Sequence, residues 1–438
     1  MVDSFLLLAA ILILQGLLSL AEGVAFHAFV RRSISADVGG AAPRASVIAP
    51  CKGLEPGFEA SLAALFDQHY PDYEIIFALA SEDDPAKAAI ARMMQSRPDR
   101  TSKLVIAAPS DKRSEKINNL LAAIEQADPS SKVLVFVDSD ALADRDWLRD
   151  LVGPLADSTV GASTGYRWYL PPGGTRGAGD TKTRGTGRRV SASPPLRVAF
   201  WSHLLSAWNG SVATTLGDHG RNFAWGGSTA IRRETFDRIG VAVRWENAVS
   251  DDYVLTRAVQ DAGLRIRFVP RCLMVTRESS KLKSLLEFTT RQVIITRVYR
   301  PAAWWIGLIS HGLFALGFFG GLGMLLIRLG VGSWRHGALG LNAEIFAGRI
   351  MTLAAALIVI YLLGSLKGAL RLRAASIALP QFAEEIRASW ATFCVLWPAL
   401  SLLFLYNFIR SWTTRRITWR GITYELVSDT ETRVLTDE

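Results

Sequence analysis

Four apolar runs bracket one long polar segment, and no other feature of the sequence constrains the fold as strongly. Residues 4–26 read SFLLLAAILILQGLLSLAEGVAF, interrupted only by Gln15 and Glu22. A helix rising about 1.5 Å per residue crosses a hydrocarbon core in roughly 20 residues. Asp3 precedes the run and Arg31-Arg32 follow it. A cleaved signal peptide has the opposite polarity. The run therefore reads as an uncleaved anchor, with residues from 31 onward on the cytoplasmic side by the positive-inside rule. Three further runs lie at about 303–327, 350–370 and 390–409, the first opened by Trp304 and Trp305 as at a membrane interface. The expected division is an anchor at 1–32, a polar domain at 33–300, a membrane bundle at 301–412 and a polar tail at 413–438. The crossings do not close. One anchor plus three spans leaves the C-terminus on the far side, yet Arg410, Arg415, Arg416 and Arg420 after the last run argue for the near side. Either one run is re-entrant or interfacial, or a span has been missed or merged.

Composition narrows the classes. Hydrophobic residues make up 50% of the chain, and the formal net charge is +9. Basicity of this kind serves nucleic acid, anionic lipid or phosphorylated substrates. Apolar spans beside the basic residues favour the last two, and no nucleic-acid-binding signature is present. Cys51, Cys272 and Cys394 are widely separated with no CxxC pair, which argues against a disulfide framework or structural zinc and for a reducing compartment.

Within the polar domain, SVIAP (46–50), YEIIFALA (73–80) and KVLVFV (132–137) read as buried strands. Residues 59–68 and 116–124 carry apolar residues at helical spacing. Strands alternating with helices predict an α/β domain with a mostly parallel sheet, whose ligands bind beyond the carboxyl ends of the strands. Two acidic clusters fall there: Asp83-Asp84 after the second strand and Asp138-Ser139-Asp140 after the third. Carboxylates one residue apart at a strand end can turn toward one point, and Mg²⁺ or Mn²⁺ takes such hard oxygens together with substrate phosphates. A DxD tripeptide alone is weak evidence, because most are solvated turns. A third pair, Asp251-Asp252, opens the helical stretch YVLTRAVQDAG. It reads either as a helix cap or as a source of a general base.

The ordered set EDDPA, KINNL, VFVDSD, WGGSTAIRRETFDRIG, SDDYVLTRAVQDAG and RQVIITR, over roughly 45–300, resembles family-2 glycosyltransferases. The similarity is to the ceramide glucosyltransferase-like branch, which includes bacterial enzymes associated with hopanoids. The resemblance implies a GT-A-type, Rossmann-like nucleotide-sugar-binding domain between an N-terminal anchor and C-terminal membrane helices. It implies a UDP-sugar donor, a lipid acceptor such as ceramide or a hopanoid, and Mg²⁺ or Mn²⁺. The location it implies is the cell inner membrane, with the catalytic domain cytoplasmic and no nucleic-acid partner. By motif, Asp83 and Asp84 fall near the uridine, and Lys116 and Asn119 near the phosphates or uracil. Asp138 and Asp140 become the metal and diphosphate ligands, and Asp252 the catalytic base. Gly226 and Gly227 fall beside the donor sugar and acceptor. His203 matches a histidine of the family's eukaryotic members, although a satisfied core histidine is an equally simple account.

Two departures stand out. The family usually has (Q/R)xxRW before the membrane bundle, and here RQVII puts Ile294-Ile295 at the Arg-Trp positions. Arg291 and Gln292 are retained, and Arg297 either supplies the charge from a shifted position or belongs to a basic interfacial helix. The Gly-, Thr- and Arg-rich stretch 171–195 reads as an active-site gate or an inert insertion. The implied chemistry is a single inverting displacement that gives a β-glycolipid, with glucose or N-acetylglucosamine as the sugar. A processive polysaccharide synthase and a non-catalytic membrane scaffold are the alternatives.

Overall fold

The computed structural model describes residues 2–36, 42–172, 196–332 and 342–435. The proposed gate falls at 173–195 for nearly all its length, outside the described residues. Seven strands build the central sheet: β1 (Ala45–Pro50), β2 (Tyr73–Leu79), β3 (Ser102–Ile106), β4 (Val133–Val137), β5 (Val160–Leu170), β6 (Ser228–Arg232) and β7 (Arg265–Arg277). Their spatial order is β3-β2-β1-β4-β6-β5-β7. β1 to β4 pair in parallel, β6 runs antiparallel to β4 and β5, and β5 pairs parallel with β7.

β1, β2 and β4 are apolar without alternation because both faces are covered. Val47, Ile75, Phe77 and Val135 pack against helix Phe58–Phe66 on one face. Ile48, Ile76, Leu134 and Phe136 meet helix Glu115–Glu125 on the other, through Ile117, Leu120 and Ala123. The result is a doubly covered α/β sheet, parallel over β1 to β4 as the strand–helix alternation predicts and mixed beyond β4 because β6 runs antiparallel, and β4 delivers its last residues to the carboxyl edge.

Among the described residues, three helices are long and apolar enough to cross a membrane: Asp3–Ser35, Pro301–Arg328 and Ala347–Ala378. The fourth apolar run does not join them. It breaks at Val395-Leu396 into helices Trp390–Cys394 and Trp397–Trp412, with Pro398 in the first turn of the second. Sixteen residues rise only about 24 Å, short of a bilayer core. This helix is also two-sided, burying Leu400, Asn407 and Phe408 while exposing Leu402, Tyr406 and Ile409.

The end of the chain is folded, whereas the sequence reads there as a polar tail. β8 (Arg416–Trp419), β9 (Ile422–Leu426) and β10 (Thr432–Leu435) form an antiparallel sheet. Ile417, Tyr424 and Leu426 are buried in the same core as Ile48 and Phe136. The chain therefore ends on the side of the α/β domain, so it must cross an even number of times after residue 300. Helices Pro301–Arg328 and Ala347–Ala378, each long and apolar enough to cross, are two in number, which agrees with that parity.

Candidate active site

β4 ends at Val137, and Asp138 follows directly, its backbone N–H donating to Gly227 O at 3.2 Å. The antiparallel register pairs Val137 with Ser228, which brings the two glycines alongside the Asp138 turn. Lys116 sits in the first turn of helix Glu115–Glu125, which Ser114 caps by accepting from Ile117 N at 3.3 Å. A cation there opposes the helix dipole, and two carboxylates compensate. Lys116 Nζ lies 2.9 Å from Asp138 Oδ1 and 3.1 Å from Asp251 Oδ2. Burial alone would lower the lysine's pKa, but Asp138 and Asp251 more than reverse that and hold it charged. Burial likewise opposes ionisation of Asp138, and Lys116 and Arg167 overcome it, keeping its pKa below the ordinary value.

Arg167 is the residue the motifs miss. It lies on β5 just beyond a register shift between Thr164 and Tyr166, and such irregularities re-aim side chains beside active sites. Its Nη2 lies 2.7 Å from Asp138 Oδ2 and 2.8 Å from Asp140 Oδ1, while Nη1 reaches Asp140 Oδ2 at 3.0 Å. Both aspartates of the DSD triplet thus converge on one positive group. Glu55 and Glu278 stand near enough to Asp140 to feel its charge. Burial and Asp140 push Glu55 up to about 7 and raise Glu278 as well.

Asp252 lies in the first turn of helix Asp251–Asp261, capped by Ser250. Its Oδ1 accepts from Ser250 Oγ and, at 2.8 Å, from Tyr253 N. No hydrogen bond to its Oδ2 occurs among the described residues. Burial and the neighbouring Asp251 raise its pKa to about 6.

The glycines leave room for the charged side chains of Lys116, Asp138 and Asp251. A Cβ on Gly226 would stand 1.8 Å from Asp251 Oδ2, and one on Gly227 would stand 2.5 Å from Asp138 Oδ2 and 2.2 Å from the Trp225 ring. Neither glycine lines the cavity; each lets the carboxylates stand where they do.

A single cavity of about 1430 Å³ joins these groups. Lys116, Asn119, Asp138, Asp140, Asp252, Arg291 and Gln292 line it, together with Glu55, Arg167 and Asp251. Asn119 is 2% exposed, and its Oδ1 has no hydrogen-bond partner among the described residues. Apolar side chains line it too: Phe26 and Phe29 of the N-terminal helix, Ile306 of helix Pro301–Phe314, and Phe404 and Phe408 of helix Trp397–Trp412.

Besides the two glycines, four sequence candidates stand outside this lining. Asp83 is exposed at the surface. Asp84 turns its carboxylate to backbone amides, accepting from Gly53 N at 2.9 Å and Ala86 N at 2.8 Å, and so fixes the loop after β1. His203 Nδ1 pairs with Ser389 Oγ at 2.8 Å, and burial lowers its pKa, as for a core histidine. Arg297 donates to Trp412 O at 2.6 Å and Thr414 O at 3.1 Å, tying helix Leu282–Tyr299 to the end of helix Trp397–Trp412. Ile294 and Ile295 are buried in the core beside Ile417 and Tyr424.

The carboxylates fit a divalent cation on one condition. No three metal-ligating side chains gather among the described residues. Asp138 and Asp140 alone would have to share the ion with substrate phosphates, which is how Mg²⁺ is commonly held. Their convergence on the Arg167 guanidinium shows a place for positive charge between them.

The family described as Glycosyl transferase family 21 matches residues 9–175 and 205–331 of this chain. The chain is 26% identical over 144 residues to a ceramide glucosyltransferase of Gibberella zeae, covering 30% of this chain and 26% of that protein. It is 36% identical over 53 residues to a ceramide glucosyltransferase of Komagataella phaffii, covering 12% of this chain and 10% of that protein. The chain thus spans well under two thirds of the length of either curated relative. Among solved structures it is similar to the mannosyltransferase PcManGT from Pyrobaculum calidifontis in complex with GDP-Man and Mn²⁺. That match is 17% identical with a TM-score of 0.44, over 92% of this chain and 99% of that one.

Proposed function

The chain belongs to glycosyl transferase family 21, and on that premise we propose that it transfers glucose or N-acetylglucosamine from a UDP-sugar to the hydroxyl of a membrane lipid such as ceramide or a hopanoid. One observation carries this reading. The cavity lined by Asp138, Asp140 and Asp252 is lined as well by Phe26 and Phe29 of helix Asp3–Ser35, with Glu22 and Arg32 beside them, and by Ile306 of helix Pro301–Arg328. An amphiphile lying among those helices would reach the carboxylates with its polar end while its chain stays in lipid. The polar domain would face the cytoplasm of the inner membrane, because Arg31-Arg32 flank the anchor on that side.

The residues divide the work. Asp138 and Asp140 would hold Mg²⁺ or Mn²⁺, whose charge offsets that of the departing diphosphate. Lys116, kept charged between Asp138 and Asp251, orients phosphate oxygens, and Arg291 and Gln292 stand on the same cavity wall. Asp252 accepts the acceptor hydroxyl's proton at Oδ2 as the oxygen attacks the anomeric carbon and the bond to the diphosphate breaks. One displacement inverts that carbon, so an α-linked donor gives a β-glycolipid.

Detergent-solubilised protein with Mn²⁺ or Mg²⁺, offered a panel of UDP-sugars and lipids, is expected to release UDP only when a lipid acceptor is present. Release coupled to a long soluble glycan would make it a polysaccharide synthase. A folded protein that neither binds nor turns over any UDP-sugar would be a scaffold.

Two expectations follow from the site. Asp252 is a base only when ionised, so kcat/KM should fall as pH drops through about 6. A profile flat to well below that value would remove Asp252 from the role. Asp140→Ala should raise the Mn²⁺ concentration needed for half-maximal activity, because one of two carboxylate ligands is gone. The same metal response in variant and wild type would sink the assignment of the DSD triplet.

A further inference from the structure

The β8–β9 hairpin turn projects from the far end of the chain into the cavity that holds the aspartates. Trp419 and Arg420 both line that cavity. The turn is two residues long, with Trp419 paired to Ile422, and Arg420 and Gly421 have φ of 50° and 84°. Positive φ at both central positions is the type I′ pattern, which favours Asn-Gly. Gly421 fits it. Arg420 does not, and it is the one non-glycine residue with positive φ among those described. A side chain held in the left-handed region costs stability and persists where surrounding contacts over-determine it.

Those contacts are specific. Arg420 Nη1 donates to Lys52 O at 2.9 Å, and Lys52 Nζ donates back to Arg420 O at 3.0 Å. Arg420 Nη2 pairs with Glu55 Oε1. The other oxygen, Glu55 Oε2, is buried without a hydrogen-bond partner among the described residues. Tyr424, on the strand after the turn, accepts from Glu115 N at 3.2 Å, one residue before Lys116. The hairpin is therefore clasped to the loop after β1 and to the helix that carries Lys116. The guanidinium is close enough to Asp138 to help keep it ionised. Meanwhile Ile294 and Ile295 lie in the core and bring no charge to the cavity.

We propose that Arg420 is a donor-binding residue: with the turn fixed by the Lys52 and Glu55 contacts, its guanidinium takes the diphosphate of a nucleoside-diphosphate sugar. This rests on the glycosyl-transfer reading above and adds to it a residue from beyond the membrane helices. Arginine suits the role because its planar fork matches phosphate oxygens and it never loses its proton. The C-terminal sheet then becomes a wall of the donor site, which explains why Tyr424 and Leu426 are built into the α/β core.

The test is binding of UDP and of uridine to the full-length protein in detergent, measured calorimetrically. Arg420→Asn suits it: the relief of a position that asparagine tolerates better than arginine offsets the lost side-chain contacts to Lys52 and Glu55, while the Lys52 Nζ bond to the residue-420 carbonyl remains, so Tm should stay close to that of wild type. The variant should bind UDP about tenfold more weakly or worse, the loss of one charge-assisted phosphate contact. Uridine, which has no phosphate, should bind as in wild type, and Arg420→Lys should recover part of the UDP affinity. Unchanged UDP binding in Arg420→Asn would overturn the proposal. So would an equal loss for UDP and uridine, which would mark the turn as purely structural. Failure of the wild-type protein to bind UDP would instead overturn the UDP-sugar reading itself.

Discussion

Asp252→Asn should lower kcat by about 10²- to 10⁴-fold, the usual contribution of a positioned general base, while leaving UDP binding close to wild type. The geometry makes this substitution clean. Oδ1 already takes both hydrogen bonds, from Ser250 Oγ and Tyr253 N, and an asparagine oxygen can keep both. The amide then occupies the Oδ2 position, where it cannot accept a proton. Folding should not suffer, because the wild-type carboxyl is partly buried beside Asp251 and already resists ionisation. Removing its charge relieves that repulsion. A loss confined to kcat, with Tm and UDP affinity retained, identifies the base. Near-normal turnover would exclude Asp252, and a parallel loss of UDP affinity would move it to donor binding.

The sequence makes some parts of this site legible and hides others for a physical reason. VFVDSD and SDDY can be read because each places its carboxylates at the boundary of one element: the end of a doubly buried strand, or the first turn of a helix. The fold class is legible on the same grounds, since β1, β2 and β4 are short apolar runs separated by helical spacing. Arg167 cannot be read this way. It is the one charged residue of a buried strand, and it lies just past a register shift against β7 where it meets Asp138 and Asp140. Arg420 is hidden more deeply, in a short strand–turn–strand whose polar residues read as a tail, and which finds its core only against Ile48 and Phe136. Asp84 shows the opposite case. The motif places it correctly after β2, but its carboxylate is spent on the amides of Gly53 and Ala86. Chain position predicts where a residue's backbone goes far better than where its side chain points.

The same contacts account for the membrane arrangement. Had the run 390–409 crossed the bilayer, β8 to β10 would lie on the wrong side to bury Ile417 and Leu426 against the α/β domain. Helix Trp397–Trp412 starts with Trp397 against Phe314, Phe318 and Tyr361 of the candidate membrane helices, and presents Phe404 and Phe408 to the cavity on its way back to that domain. One short, two-sided helix thus returns the chain to the domain and lines the site.

Gly226→Ala should damage the site although it removes no functional group. Its Cβ would sit 1.8 Å from Asp251 Oδ2 and 2.9 Å from Lys116 Nζ, so the carboxylate has to move. Asp251 has little freedom to do so, because its backbone carbonyl is held by Trp245 Nε1 at 3.0 Å and its side chain is buried. Displacing Oδ2 breaks the 3.1 Å contact to Lys116 and unbalances the lysine's 2.9 Å contact to Asp138. The array that would orient phosphate is disturbed from a residue that does not line the cavity. Overpacking of this kind costs about 1–3 kcal/mol, and a misplaced binding group costs on the order of 10²-fold in rate. Gly226→Ala should therefore lower both Tm and kcat/KM. Asp251→Ala in the same background removes the clashing atom, so the double variant should be less destabilised than the two single changes summed, a coupling expected only between residues in contact. If Gly226→Ala is fully active, or if the two effects simply add, the close approach of Gly226 to Asp251 is not what shapes this site.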